Sequence, residues 1–260
     1  MNTRNFAICG DVHGCSDELE ELLGKIPSDH HVVFLGDLVD RGPDSARCVD
    51  IAYQLQRQGR ATLVKGNHDH SLVRYFEYEQ GSTPNPMRAP RPSRLAEWEG
   101  IFKNGKWMEF LHDAPSYLEF LPNFFAVHAG LLTTDTPDAQ KVRIHTHLRY
   151  VDVQDFSKMK PLTEDLDEPA DSIYWAEVYN RPNTVFYGHH VHNLDKPYVR
   201  HHNVGKPGGE HFTCGLDTGC VYGGHLTAAL VTELAPFHPT FVSVKARHTY
   251  FHNHVLAQRV

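Results

Sequence analysis

The stretch Phe6-Ala7-Ile8-Cys9-Gly10-Asp11-Val12-His13-Gly14 decides how the rest of the chain is read. Four residues without charge, Phe6–Cys9, run into a turn that alternates glycine with Asp and His. That pattern predicts a buried strand ending in a polar loop. Ser16–Leu23 follows as S-D-E-L-E-E-L-L, a helix with Ser16 as N-cap and acidic residues in its first turn. The unit then recurs. Val32–Leu35 and Ala61–Lys65 are apolar runs ending in glycine-containing turns, and Asp44–Gln58 between them places Ala46, Val49, Ala52 and Tyr53 at helical spacing. The β-α-β-α-β order predicts a mostly parallel sheet with helices packed on it, an α/β fold.

Outward from there the pattern changes. Residues 81–94 carry four prolines and three arginines and predict no regular element. Residues 95–121 return to apolar spacing expected to be helical. Phe124–His128 and Val185–Tyr187 read as strands, separated by a more polar stretch over 133–172. From Phe212 to about residue 251, Val, Thr and Phe with Gly turns predict antiparallel strands. No internal repeat or clean linker interrupts the chain. The expectation is one domain over 1–260 with a cap or insert at about 80–120.

Composition narrows the function classes. The 260 residues can bury a substantial core, with 40% hydrophobic and 22% charged residues. A formal net charge of −7 argues against a stable nucleic-acid partner. No signal-like apolar segment follows Met1. The most apolar long segment, Tyr117–Leu132, contains Glu119 and His128 and is too short to span a bilayer. The five cysteines are odd in number and form no C-x-x-C pair, so a disulfide framework or zinc ribbon is disfavoured and a cytoplasmic setting expected. Histidine is unusually abundant, at 20 residues. It is both the commonest metal ligand and the usual acid–base near neutral pH.

Five polar clusters stand at predicted strand ends: Gly10–Gly14, Gly36–Gly42 (G-D-L-V-D-R-G), Gly66–Asp69 (G-N-H-D), His128–Leu131, and Gly188-His189. Strand C-termini are where open α/β sheets collect ligands, and neighbouring glycines let the backbone turn sharply and approach a ligand closely. Any one cluster alone reads more readily as an ordinary turn. Five in this order, each after an apolar run, do not. Asp, Asn and His without Cys are oxygen and imidazole donors, suited to Mn, Fe or Zn rather than a structural thiolate site.

These blocks resemble those of the calcineurin-like metallophosphoesterases, and G-D-x-V-D-R-G is the form of the phosphoprotein-phosphatase superfamily. Gly215–Gly224 (G-L-D-T-G-C-V-Y-G-G) and Leu148-Arg149-Tyr150 resemble the ApaH-like, diadenosine-tetraphosphatase branch. The resemblance implies a two-sheet β-sandwich flanked by helices, with two divalent metal ions, Mn foremost and Fe, Co or Zn as alternatives. It implies Asp11 and His13 on the first metal, Asp37 bridging, and Asn67, His128 and His189 on the second. It further implies His68 as general acid oriented by Asp40, and Arg41 on the phosphoryl oxygens. Arg149 is the candidate for a second phosphate-binding arginine, ahead of Arg143 and Arg181.

The chemistry needs such residues. Two cations neutralise phosphoryl charge and hold an attacking hydroxide in line, a histidine protonates the leaving oxygen, and arginine forks fit the equatorial oxygens. The implied activity is hydrolysis of phosphoanhydrides or phosphomonoesters in nucleotides or polyphosphate. A Ser/Thr protein phosphatase is the alternative, with a phosphoprotein as partner, and a non-catalytic metal scaffold is the rival of another class. Three positions depart from the nearest patterns. Asp69 stands where protein phosphatases commonly carry Glu. Tyr174-Trp175-Ala176-Glu177 lacks the arginine of many bacterial protein phosphatases. Asp40 stands where diadenosine tetraphosphatases usually carry Ala.

Other residues have a bland reading beside a functional one. His70, after Asp69, reads as a helix-start residue or a ligand, and His190, His192 and His225 lie near motifs and suit either surface or substrate contact. His145-Thr146-His147 and His252-Asn253-His254 have an H-x-H spacing. Cys9 and Cys220 read as small buried residues rather than nucleophiles. Arg88, Arg91 and Arg94 recur every three residues and would form a solvated connector or grip the distal phosphates of an extended substrate.

Overall fold

Alternate residues of the first strands face opposite layers, and this places the site. A computed structural model describes residues 4–82, 92–160, 168–202 and 210–252, without the side chains of 92 and 93. In chain order the elements are β1 (Asn5–Cys9), α1 (Ser16–Lys25), β2 (His30–Phe34), α2 (Ser45–Arg57), β3 (Ala61–Leu63) and α3 (Asn67–Glu79). Then come α4 (Pro92–Phe102), α5 (Gly105–Asp113), β4 (Tyr117–Leu121), β5 (Phe124–Val127), α6 (Val142–His147), β6 (Tyr150–Asp152), β7 (Met159–Lys160) and β8 (Ser172–Tyr174). The last are α7 (Trp175–Val178), β9 (Thr184–Tyr187), β10 (Tyr198–His202), β11 (His211–Gly215), β12 (His225–Thr232) and β13 (Thr240–Lys245).

Two five-stranded sheets stack, ordered β13-β12-β1-β2-β3 and β10-β11-β9-β5-β4. Ile8, Val33 and Leu35 of the first sheet meet Phe124, Phe186 and Phe212 of the second in the inner core. Their chain neighbours Ala7, Cys9, Val32 and Phe34 point the other way, under Leu19 and Leu22 of α1 and Val49 and Ala52 of α2. Phe125, Val127, Val185 and Tyr187 face outward from the second sheet against Trp175, Leu148 and Tyr150. The expected two-sheet sandwich flanked by helices is what the chain forms.

Four readings need correcting. The sheets are mixed rather than mostly parallel. The β1-β2-β3 run is parallel as expected, but β12 pairs antiparallel with β1 and β13 with β12. Residues 117–121 are the strand β4, not helix, pairing antiparallel with β5 after Ala114 and Pro115 end α5. Residues 92–94, expected to lack regular structure, open α4, and the polar stretch 133–172 contains α6 and part of a small antiparallel sheet, β7-β6-β8. The region expected as a cap supplies Trp98, Ile101, Phe110 and Leu111 to the helix-side core, so α4 and α5 sit within the helical layer. Arg88, Arg91 and His254 lie outside the described residues.

The loops after β1, β2, β3, β5 and β9 meet at one edge and are stitched by backbone hydrogen bonds. Val12 and His13 donate to the Asp37 carbonyl at 3.2 and 2.8 Å, Gly14 to Leu38 at 2.9 Å, and Gly188 to His128 at 2.8 Å. Asp69, in the first turn of α3, pins three of these groups. Its buried carboxylate accepts from Asp37 N at 2.7 Å, Leu38 N at 3.0 Å and Gly66 N at 3.3 Å. A Cβ on Gly66 would fall on the Asp37 backbone, so only glycine permits this approach.

Two outcomes follow. Phe186→Ala, at a fully buried ring packed edge-on to Phe212 at 5.5 Å, should cost about 3–5 kcal/mol in urea unfolding, and a loss under about 1 kcal/mol would contradict the assigned core. Asp69→Asn sets an amide donor against backbone N–H groups and should destabilise by about 1–3 kcal/mol, with lower metal content; unchanged unfolding and metal content would show that the pin is dispensable.

Candidate functional site

Each of the five loops delivers its polar group to one point, and the backbone bends unusually to do so. Among the described residues, seven non-glycine residues have positive φ, and five of them belong to this point: His13, Asp37, Asp40, Arg41 and His189. Such conformations cost of order 1–3 kcal/mol each and persist only where the surroundings impose them. Here the stitched loops impose them.

Asp37 lies at the centre. Its Oδ1 accepts from His68 N at 2.8 Å. Its Oδ2 lies 3.5 Å from both His13 Nε2 and His128 Nε2, and 4.0 Å from His68 Nε2. His13 Nδ1 donates to the Val39 carbonyl at 2.9 Å and His128 Nδ1 to the Leu35 carbonyl at 2.8 Å, so each ring turns its Nε2 lone pair inward. The Asn67 oxygen stands 2.9 Å from both His128 Nε2 and His189 Nδ1. Asp11 accepts the His189 N–H at 3.0 and 3.1 Å, with Oδ2 3.9 Å from His13 Nε2. A side chain on Gly188 would collide with Asp11, so this approach also requires glycine.

The electrostatics identify what the pocket fits. Carboxylate, amide and imidazole lone pairs face one another at Asp37, His128 and Asn67, an arrangement that a cation between them would satisfy. Of the three groups among the described residues whose ligand atoms lie mutually within 4.8 Å, one is Cys15, Glu18 and Cys220; the other two are His13, Asp37 and His68, and Asp37, His128 and His189. They share Asp37, as a pair of adjacent cations would require. Burial pushes the Asp37 carboxyl up to about 7 and raises Asp11 well above its ordinary range, while the same burial lowers His13 and His189 and brings His128 down to about 3. Desolvated carboxylates beside neutral imidazoles form an oxygen and nitrogen donor set for divalent first-row metals.

The remaining expected residues surround this centre. His68 Nδ1 bonds Asp40 Oδ2, and Arg41 donates from Nη1 to His13 Nε2 at 2.7 Å and from Nη2 to His68 Nε2 at 2.9 Å. Arg149 reaches the site, donating from Nε to His189 Nε2 at 3.0 Å. Arg181 instead serves the carbonyls of Thr133 and Asp135, and Arg143 is exposed. The neighbouring histidines have other partners. His225 Nδ1 donates to the Leu194 carbonyl at 2.8 Å, and His192 stacks on Tyr198 at 4.1 Å. His147 lies 6.4 Å from the His189 ring, and His70 is half-buried on α3. All five cysteines are buried and free, and burial raises the thiols of Cys9 and Cys214.

The structure gives Asp217, Arg94 and Trp98 places at the site that the motif reading did not assign. Asp217 is buried beside Asp11, and burial lifts its carboxyl to about 6; it faces Arg41 and Arg149. Its signal was present in Gly215–Gly224, where an aspartate sits among glycines. Arg94 and Trp98 of α4 both bond Asp40, the indole N–H at 2.7 Å to Oδ1. Arg94 is thus engaged by a carboxylate instead of standing over solvent.

Known proteins match this chain along nearly its whole length. Bis(5'-nucleosyl)-tetraphosphatase PrpE [asymmetrical] of Oceanobacillus iheyensis is 30% identical over 94% of this chain and 93% of its own length. The same-named protein of Halalkalibacterium halodurans is 30% identical over 93% of this chain and 94% of its own. A solved structure described as a candidate diadenosine tetraphosphatase superposes with a TM-score of 0.66, at 26% identity, covering 94% of each chain. The family model for the calcineurin-like phosphoesterases matches residues 4–227. That family uses a dinuclear divalent-metal centre. The chain therefore belongs to the calcineurin-like phosphoesterases and is a metal-dependent hydrolase of that family.

Proposed function

We propose that the chain hydrolyses a phosphoanhydride bond of a dinucleoside polyphosphate, with bis(5'-nucleosyl) tetraphosphate as its substrate class. The observation that carries this reading is the ring of lone pairs around Asp37 Oδ2, in a chain 30% identical to a tetraphosphatase relative over 94% of its length. Asp11, His13 and Asp37 would hold one cation, and Asp37, Asn67, His128 and His189 a second, with Mn first and Fe, Co or Zn as alternatives. Such cations supply charge neutralisation at the phosphoryl group and an acidified water as nucleophile.

The chain's own residues do the rest. Arg41 now donates to the Nε2 atoms of His13 and His68. A phosphoryl group entering the pocket offers its guanidinium better acceptors, leaving His68 Nε2 facing the leaving oxygen. Arg149, behind His189, adds a second cation to the same wall. Asp40 holds His68 by Nδ1, so the proton to be given is the one on Nε2. The Asp40–His68 contact gives a physical role to the position where diadenosine tetraphosphatases usually carry Ala. The substrate is a phosphorylated small molecule, and the protein-phosphatase reading takes second place because the relatives named above are tetraphosphatases. No helix among the described residues is long and apolar enough to cross a membrane. With five unpaired cysteines, we place the enzyme in the reducing cytoplasm.

Two measurements test this. With Mn added, a panel of diadenosine tetraphosphate, inorganic polyphosphate, capped RNA, a phosphoprotein and an aryl phosphate should show fastest turnover of diadenosine tetraphosphate, with AMP and ATP as products. Dominant phosphoprotein turnover would overturn the reading. His68→Ala should lose about 10²–10⁴-fold in kcat and keep its metals, while chelation should abolish activity and Mn restore it. An active chelated enzyme would contradict the metal assignment.

A further inference from the structure

The helix α4 leads three side chains to Asp40 from one face. Arg94, Glu97 and Trp98 stand at i, i+3 and i+4, the spacing that stacks residues along one side of a helix. Trp98 is 1% exposed, and its Nε1–H donates to Asp40 Oδ1 at 2.7 Å. Arg94 Nη2 pairs with Asp40 Oδ2, its guanidinium lying 4.5 Å over the Trp98 ring and 3.2 Å from His68 Nδ1. Glu97 accepts from Ser45 Oγ, and that hydroxyl oxygen accepts the Asp40 N–H at 2.8 Å. The carboxylate and the backbone of Asp40 are thus gripped together.

Asp40 needs that grip. It and Arg41 are consecutive non-glycine residues at φ 75, and Asp40 is 3% exposed. A buried carboxylate with an idle oxygen would either turn or leave that oxygen unsatisfied. The indole takes Oδ1, so Oδ2 alone is presented to His68. Arg94 shares Oδ2, a charge-assisted contact on the same oxygen that faces His68.

We propose that Arg94 and Trp98, with Glu97 acting through Ser45, are positioning residues for proton delivery by His68. They fix Asp40, and Asp40 fixes the imidazole with Nε2 toward the leaving oxygen. The proposal rests on the acid role assigned to His68 above. With Arg41 turned to the phosphoryl oxygens, His68 takes a proton from water on Nε2; as the P–O bond breaks, its electron pair departs on the leaving oxygen, which takes that proton. The ring is left neutral with Nδ1–H still on Asp40.

The test is dependence on the leaving group, which a merely structural residue would not alter. Phenyl phosphate and p-nitrophenyl phosphate differ little in shape, but phenolate needs a proton far more than p-nitrophenolate. In the Mn-loaded enzyme, Trp98→Phe keeps the ring and removes the N–H. Its kcat should fall about tenfold more on phenyl phosphate than on p-nitrophenyl phosphate, with each KM within about twofold of wild type. Arg94→Gln, at a partly exposed side chain that folding tolerates, should skew the ratio in the same direction. His68→Ala is the reference and should show the largest skew. Equal losses on both substrates in Trp98→Phe and Arg94→Gln, beside a skewed His68→Ala, would overturn the positioning role while leaving the acid role intact. A His68→Ala enzyme without skew would overturn the acid role itself, and this proposal with it.

Discussion

One buried carboxylate organises this molecule. Asp37 sits at positive φ just past β2, and its Oδ2 stands 3.5 Å from the Nε2 atoms of His13 and His128. Burial alone would drive that carboxyl to its neutral form, and it pushes its pKa to about 7. The surroundings oppose this with backbone donors and arginine. The Asp37 carbonyl accepts the Val12 and His13 N–H groups, its amide is held by Asp69, and Oδ1 takes the His68 amide. Every bond that holds Asp37 also fixes a neighbouring loop. Positioning the carboxylate and assembling the site are therefore one event.

The sandwich makes that event affordable. Backbone strain at five site residues would be several kcal/mol on the usual scale, in a protein whose net stability is of similar size. Three cores offset it: one between the sheets, one under α1 to α5, and one under α6 and α7. Strands from both sheets end at the same edge, so loops far apart in sequence, such as those of Asp11 and His189, meet without long excursions.

Much of this was legible in the sequence because the motifs are local. An apolar run, a glycine and an Asp or His report a strand end directly, and all six expected ligand positions, with His68, Asp40, Arg41 and Arg149, converge. What was not legible depends on partners distant in sequence. Tyr117–Leu121 reads as helix until Phe124–Val127 is present to pair with it. The short strands β6, β7 and β8 carry too few residues to show a period. Arg94, Glu97 and Trp98 have the spacing of any amphipathic helix, and only the fold reveals that their shared neighbour is Asp40. Asp69, read first as a marker of branch, proves to be a clamp on three amides. The histidine excess resolves in the same way. His192 and His225 spend their rings on stacking and on a carbonyl, so abundance did not identify the site; position after a strand did.

In the proposed metal centre, two cation sites share Asp37. Metal content of purified, Mn-reconstituted protein tests it, comparing Asp37→Asn with His189→Ala. Asp37→Asn should lose both equivalents together, while His189→Ala should keep about one, the site of Asp11, His13 and Asp37 surviving. An Asp37→Asn protein that folds and still holds two equivalents would contradict it.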